Sequence, residues 1–327
     1  INIIMSNTTK ENILLILDIA ELERYLGSIQ YTIPTKSILD LQSKVEEWIS
    51  MNDCGAIIYG ESRVGKTRAI RYISLHLKEK YSLQLPIYTF TATDHVPTQK
   101  TFYSSLLTAI GHEDPHKGTA VQMRQRLVNR IIINALDTKY RRAILFIDEA
   151  YLLSDKEYLW LIDIYNELNL QDILFTVFLF GTRELKEQKT AYISAGKKQI
   201  VLRFMVNEFE FIGITNQRDA AICLASIDKP IRIPSCKEEI ILSELFFPLA
   251  YKDGIKLTSY AEDLWNAFEQ VKEENNISSG QILMKHFMDA IFYCLKRYGV
   301  YGKALYQPAV KEWKQSIVDS GFVISQI

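Results

Sequence analysis

The chain has 327 residues, 48% of them hydrophobic and 11% aromatic, with only 14 glycines and 8 prolines. That composition excludes a disordered or fibrous chain and supplies enough apolar material for one or two packed domains. Thirty-eight Lys and Arg against 39 Asp and Glu leave a net charge of −1, which excludes a globally basic nucleic-acid binder but not a local basic patch.

In chain order, residues 11–26 are apolar but broken by Asp18, Glu21 and Glu23, which does not fit a signal-peptide core. An amphipathic pattern (Ile13, Leu14, Ile16, Leu17, Ile19, Ala20) leads to Pro34, which marks extended chain. Ile38, Leu41, Val45 and Ile49 predict a helix over Ser37–Ile49. From Gly55 the period changes. Apolar runs at Ala56–Tyr59, Ile87–Phe90, Ala143–Ile147, Ile173–Phe180 and Phe209–Ile212 alternate with helical stretches, the pattern of a parallel sheet covered on both faces. Beyond about Thr215 the pattern is helical: Asn216–Ile227, Glu238–Leu249, Tyr260–Glu274, Ser279–Arg297 and Ala309–Asp319. The expected layout is an N-terminal extension with a leading helix (1–52), an α/β nucleotide-binding core with a five-stranded parallel sheet (53–215) and a helical lid with a tail (216–327). No apolar run reaches the roughly 18 residues of a membrane span. Cys54, Cys223, Cys236 and Cys294 are far apart, as befits free thiols in a reducing cytoplasm.

Gly60-Glu61-Ser62-Arg63-Val64-Gly65-Lys66-Thr67 fits GxxxxGK[ST] at every fixed position, after a strand and before a helix. The glycines let backbone N–H groups curl around phosphates, and the helix N-terminus adds partial positive charge. Lys66 is placed for the β- and γ-phosphates of ATP and Thr67 for Mg²⁺. The strand Ile144–Ile147 ends in Asp148-Glu149. Strand ends of a parallel sheet share one edge, so Asp148 arrives beside the loop as a second Mg²⁺ group, and Glu149 is the candidate for polarising water. A small-molecule kinase needs no such base, so the pair favours hydrolysis. Thr182, after the strand ending at Phe180, is either an orienter of that water or the cap of the helix over Arg183–Thr190, and the two roles are compatible. Arg203 suits either a structural ion pair or a finger completing a neighbour's site. The segment His112–His116, with Pro115, is expected to be a solvated loop rather than a metal cluster.

The order of Gly60–Thr67, Ile144–Glu149, Gly181-Thr182-Arg183-Glu184-Leu185 and Arg203-Phe204 resembles AAA+ ATPases, and more narrowly the TnsC/TniB transposition regulators, relatives of the IstB helper ATPases. Phe246-Phe247-Pro248-Leu249 and Ile277-Ser278-Ser279-Gly280 resemble that family's lid. The resemblance spans roughly residues 35–310. It implies ATP and Mg²⁺ at Lys66, Thr67 and Asp148, hydrolysis supported by Glu149, a γ-phosphate sensor at Thr182 and a trans-acting finger at Arg203. It also implies ATP-dependent homo-oligomers, rings or helices, on duplex DNA in a bacterial cytoplasm. These recruit a transposase, answer to a target-selection protein and are dismantled by hydrolysis. Lys100 and Thr119 occupy the places of the family's DNA contacts. The sequence departs from the family where the lid helix after Gly280 (Gln281-Ile282-Leu283-Met284-Lys285) lacks the usual arginine. A signalling ATPase that assembles without DNA carries the same phosphate and acidic motifs and stays open as an alternative. So does a basic face at Lys296, Arg297, Lys303, Lys311 and Lys314 as a second place for DNA.

Overall fold

The strand runs are apolar because both faces of the sheet are covered. In the computed structural model, which describes residues 19–28, 31–82, 84–233, 239–278 and 280–326, five strands pair in the order β2-β3-β4-β1-β5. They are β1 (Gly55–Tyr59), β2 (Ile87–Thr91), β3 (Arg142–Asp148), β4 (Leu174–Gly181) and β5 (Asn207–Glu210), all parallel. Ile57, Tyr59, Leu145, Ile147, Val177 and Leu179 supply one buried face. On the other, Phe146 and Phe178 stack at 5.3 Å between ring centroids, and Trp48 lies 6.1 Å from Phe178.

The helices expected over Ser37–Ile49 and from Thr67 to Lys80 are shifted by only one residue at an end, the helix expected over Arg183–Thr190 runs on to Ser194, and the apolar run Ile200–Leu202 lies in a short helix, Lys198–Phe204. With α1 (Ile19–Gly27) ahead of them, α2 (Lys36–Ser50), α3 (Lys66–Lys80), α4 (Gln99–Ala109), α5 (Ala120–Leu136), α6 (Asp155–Asn169), α7 (Arg183–Ser194) and α8 (Lys198–Phe204) belong to or lead into the sheet unit. β5 starts two residues earlier than the apolar run Phe209–Ile212 suggested. It is an edge strand paired only with β1, so Glu208 and Glu210 can face solvent.

The chain forms two compact units. One is Ser37–Ile212, the sheet and its helices. The other joins the residues up to Lys36 with those from Gly213 onward. The expected segment 1–52 is therefore divided: α2 serves the sheet, while Leu22 and Leu26 of α1 are buried in the helical unit's own core. The expected boundaries at 52/53 and 215/216 fall instead at 36/37 and 212/213.

In the helical unit, α9 (Gln217–Ile227), α12 (Ala261–Glu274) and α14 (Val310–Asp319) match their periodicity, and α13 (Met284–Tyr298) does so over its C-terminal part. The helix expected over 238–249 is two short ones, α10 (Leu242–Phe246) and α11 (Pro248–Lys252). Pro248 has no N–H to give and pushes Phe247 to φ −130°, ψ 63°. The helix expected from Ser279 starts at Met284, because Ile282 exchanges backbone hydrogen bonds with Ile214 at 2.8 and 2.9 Å. Phe268, Phe287, Trp313 and Phe322 fill this unit's core. Residues 1–18, Cys236, Glu238 and Ser279, to which several expectations refer, lie outside the described residues. Among the described residues no helix is long and apolar enough to cross a membrane, and no cluster of His, Cys, Asp and Glu could hold a metal.

Candidate nucleotide site

Parallel register brings three loops to one edge. Tyr59 pairs with Gly181, and Thr91 with Asp148, so Gly60, Glu149 and Thr182 all leave the sheet at its C-terminal edge. β4 lies between β1 and β3, which places Thr182 between the phosphate loop and the two carboxylates.

Two glycines of the loop answer separate constraints. A Cβ on Gly60 would lie 2.1 Å from the Phe211 carbonyl oxygen, whose residue closes on Tyr59 with a 2.7 Å backbone bond. Gly65 has φ 116°, in the left-handed region, and caps α3. Arg63 also takes a positive φ of 63°, which continues the curl of the loop between the glycines. Lys66, only 7% exposed, donates to the Gly60 carbonyl at 2.9 Å and to the Glu61 carbonyl at 2.7 Å. Ser62 is exposed and Val64 is buried beneath the loop.

Thr67 Oγ1 donates to Asp148 Oδ2 at 2.6 Å, while Asp148 Oδ1 accepts from the Glu149 amide at 3.1 Å. Glu149 sits at φ 53°, a left-handed turn that redirects the chain from β3 into the short 3₁₀ turn Ala150–Leu152. Its Oε2 is buried without a hydrogen-bond partner, and so is Thr182 Oγ1. Thr182 does stand at the cap position of α7, but its side chain makes no cap hydrogen bond. Two buried, unpaired polar atoms at one edge are costly unless a ligand completes them.

The electrostatics agree. Burial, then the charge of Asp148, pushes the Glu149 carboxyl above its usual range, and Lys66 pulls it partly back. Burial lowers the Lys66 ammonium, opposed by Glu149, Asp148 and Glu61. The donor set of one hydroxyl and one carboxylate is all oxygen, which suits a hard cation such as Mg²⁺.

Arg203 is not brought into this cleft. It ends α8 just before β5 begins, at the opposite edge of the sheet, about 15 Å away over five strand residues. Its Nη2 donates to Asn166 Oδ1 at 2.9 Å, and its guanidinium lies over the Tyr165 ring at 5.5 Å. The geometry excludes a role in its own chain's cleft, and among the described residues Arg203 has no acidic partner. Lys100 is exposed in the first turn of α4, beyond the β2 end of the same C-terminal edge. Thr119 caps α5, where its hydroxyl accepts from the Gln122 amide at 3.4 Å in a reciprocal capping box.

Sequence reading missed two features. Arg183 ties the loop to its surroundings through Glu61 at 2.9 Å and Glu210 at 3.5 Å. Ser154 and Glu157 form a capping box that starts α6 immediately after the carboxylates, a signal visible as S-x-x-E. The second basic face is largely neutralised: Lys296 pairs with Glu23, Arg297 with Asp319, Lys311 with Glu312 and Lys314 with Glu274. Lys303 lies over the Tyr298 ring. Lys285, in the helix that lacks the expected arginine, pairs with Asp289 at 2.7 Å.

Comparison with known proteins adds the family context. Residues 52–188 match the AAA domain family, a stretch that contains the phosphate loop, both carboxylates and Thr182. No curated protein matches the chain significantly in sequence. Among solved structures, the ORC2 protein of Aeropyrum pernix, determined as ADPNP and ADP complexes, is 12% identical with a TM-score of 0.60, over 91% of this chain and 71% of that one. A Drosophila ORC structure bound to DNA is 10% identical with a TM-score of 0.51, over 97% of this chain and 68% of that one. At such identities the likeness is one of fold, that of an AAA+ P-loop core, and residues 52–188 within it match the AAA domain family.

Proposed function

We propose that this chain is an ATP-hydrolysing, DNA-binding regulator of transposition that assembles as an ATP-dependent homo-oligomer on duplex DNA. One observation carries the ATPase part: Glu149 Oε2 and Thr182 Oγ1 are buried and unpaired beside the Lys66, Thr67 and Asp148 constellation. The narrower assignment rests on the resemblance of Gly181–Leu185 and Arg203-Phe204 to the TnsC/TniB regulators. The DNA-bound Drosophila ORC shares the fold, which is compatible with that assignment.

The residues divide the work by chemistry. Lys66 exchanges two carbonyl contacts for phosphate oxygens, which are charged and so bind an ammonium more strongly. Thr67 and Asp148 would hold Mg²⁺, which when bound offsets phosphate charge. Glu149, with its carboxyl pushed upward, is suited to accept a proton from the attacking water near neutral pH. Thr182 donates its free hydroxyl toward the γ-phosphate or that water. Arg203 reaches the cleft of a neighbouring copy, since it cannot reach its own. Lys100 supplies a phosphate contact on DNA, and Thr119 an uncharged one. Transposase and target-selection protein would be recruited to the assembled form.

Gel filtration with an ATP analogue and duplex DNA, added singly and together, tests the reading. Higher-order assembly that needs both, and that Lys66→Ala abolishes, is expected. Assembly with nucleotide alone, indifferent to DNA, would select the signalling ATPase instead.

A further inference from the structure

The loop between β2 and α4 is fastened to the carboxylate segment at two points. At its start the Ala92 amide donates to the Asp148 carbonyl at 2.9 Å. Further along, His95 Nε2 stands 3.3 Å from Glu157 Oε1. Glu157 is 2% exposed. Its Oε2 accepts from the Ser154 amide and hydroxyl, both at 2.8 Å, which leaves Oε1 facing His95 at ion-pair distance, with neither Oε1 nor His95 Nε2 in a hydrogen bond. On the other side of the ring, Nδ1 is 2.7 Å from the Thr93 carbonyl. A carbonyl only accepts, so Nδ1 carries a proton. Nε2 is then the ring atom turned toward the carboxylate.

What lies between the two fastenings matters. Asp148, Glu149, the turn Ala150–Leu152 and Ser154 run from the first to the second. On the loop side, Thr98 caps α4 three residues after His95, and Lys100 follows in its first turn. The one buried carboxylate that starts α6 thus meets the loop that presents Lys100.

We propose that His95 is a positioning residue that couples the β2–α4 loop to the carboxylate segment, so that a phosphate backbone engaging the loop alters turnover at Glu149. The inference rests on the reading of that segment as an ATP-hydrolysing site. It goes beyond that reading by naming the contact through which the loop and the cleft communicate.

Hydrogen exchange on the full chain tests it. Peptides covering residues 91–100 and 148–158 are followed with and without a non-hydrolysable ATP analogue and Mg²⁺, in wild type, His95→Ala and His95→Gln. In wild type the analogue changes exchange in both segments. In His95→Ala the 148–158 segment still responds, whereas the loop exchanges about tenfold faster, as loss of one contact to a charged group allows, and no longer responds. His95→Gln offers Glu157 an N–H in place of the ring and restores the loop's response. If His95→Ala lowers the melting temperature, His95→Leu, which keeps the bulk, replaces it. An intact loop response in the Ala or Leu variant overturns the coupling, as does a silent loop in wild type with analogue bound. A direct titration showing no bound analogue overturns the ATP-site reading itself, and the coupling with it.

Discussion

Lys66 and Lys314 are both lysines close to carboxylates, yet the sheet unit and the helical unit use them differently. Lys314 closes on Glu274, as Lys296 does on Glu23 and Lys285 on Asp289, each a surface cation matched by an acid. Lys66 is buried and donates to two backbone carbonyls, while Glu149 Oε2 and Thr182 Oγ1 have no hydrogen-bond partner among the described residues. Matched surface pairs contribute about 0–1 kcal/mol each and leave little charge for an outside anion. Buried polar atoms without partners cost about 1–3 kcal/mol each, a cost that a ligand reaching Glu149 Oε2 and Thr182 Oγ1 would offset. Arg203 also differs from the matched pairs: its guanidinium meets a neutral amide and a ring.

The sharpest way to break the comparison is at Arg203. Arg203→Ala is expected to cut turnover by about 10³ to 10⁵, the range of arginine fingers. Mixing it with Lys66→Ala protein should return part of the activity, because some interfaces then join an intact finger to an intact cleft. No recovery at any mixing ratio, with mixed assembly verified, places the finger elsewhere.

Glu149→Gln is next, with turnover down by about 10² to 10⁴ and nucleotide affinity retained. The pH signs follow from the upward shift, which burial and then Asp148 produce. The acid limb of the wild-type rate profile should lie above the ordinary carboxylate range. For stability, a carboxyl raised in the folded state stabilises fully below its unfolded value, and that contribution is lost as pH rises through the folded value. Glu149→Gln should therefore be more stable than wild type near neutral pH, with the difference vanishing in acid. Thermal melts of both proteins across pH measure this, and a variant less stable at neutral pH would count against burial as the cause of the upward shift.

Lys100→Ala tests the exposed edge. Each lost phosphate contact should flatten the log–log salt slope of duplex binding by about 0.9, with nucleotide binding by the free protein unchanged. An unaltered slope on duplexes of unrelated sequence removes Lys100 from the DNA track.

The smallest effect is expected where charges are already matched. Lys314→Ala should shift stability by no more than about 1 kcal/mol and leave the salt slope of DNA binding as it is. A slope change as large as that of Lys100→Ala would show that the paired face still meets DNA.

Local chemistry made much of this molecule readable in one dimension. The spacing of Gly60, Gly65, Lys66 and Thr67, and an apolar strand ending in Asp148-Glu149, mark the candidate cleft, because the strand-loop-helix pattern that carries them is short-range. Strand order, the division of the N-terminal segment between the two units and the break at Pro248 needed the folded chain, since each depends on what packs against what. The same holds for the availability of each polar group. The sequence proposes Thr182 as cap or sensor with equal force, and only the fold leaves its hydroxyl unpaired. It shows a run of cations near the C-terminus, and only the fold sets an acid or a ring beside each of them. His95 and Glu157 are 62 positions apart and unremarkable as letters; pairing β2 with β3 is what sets one against the other.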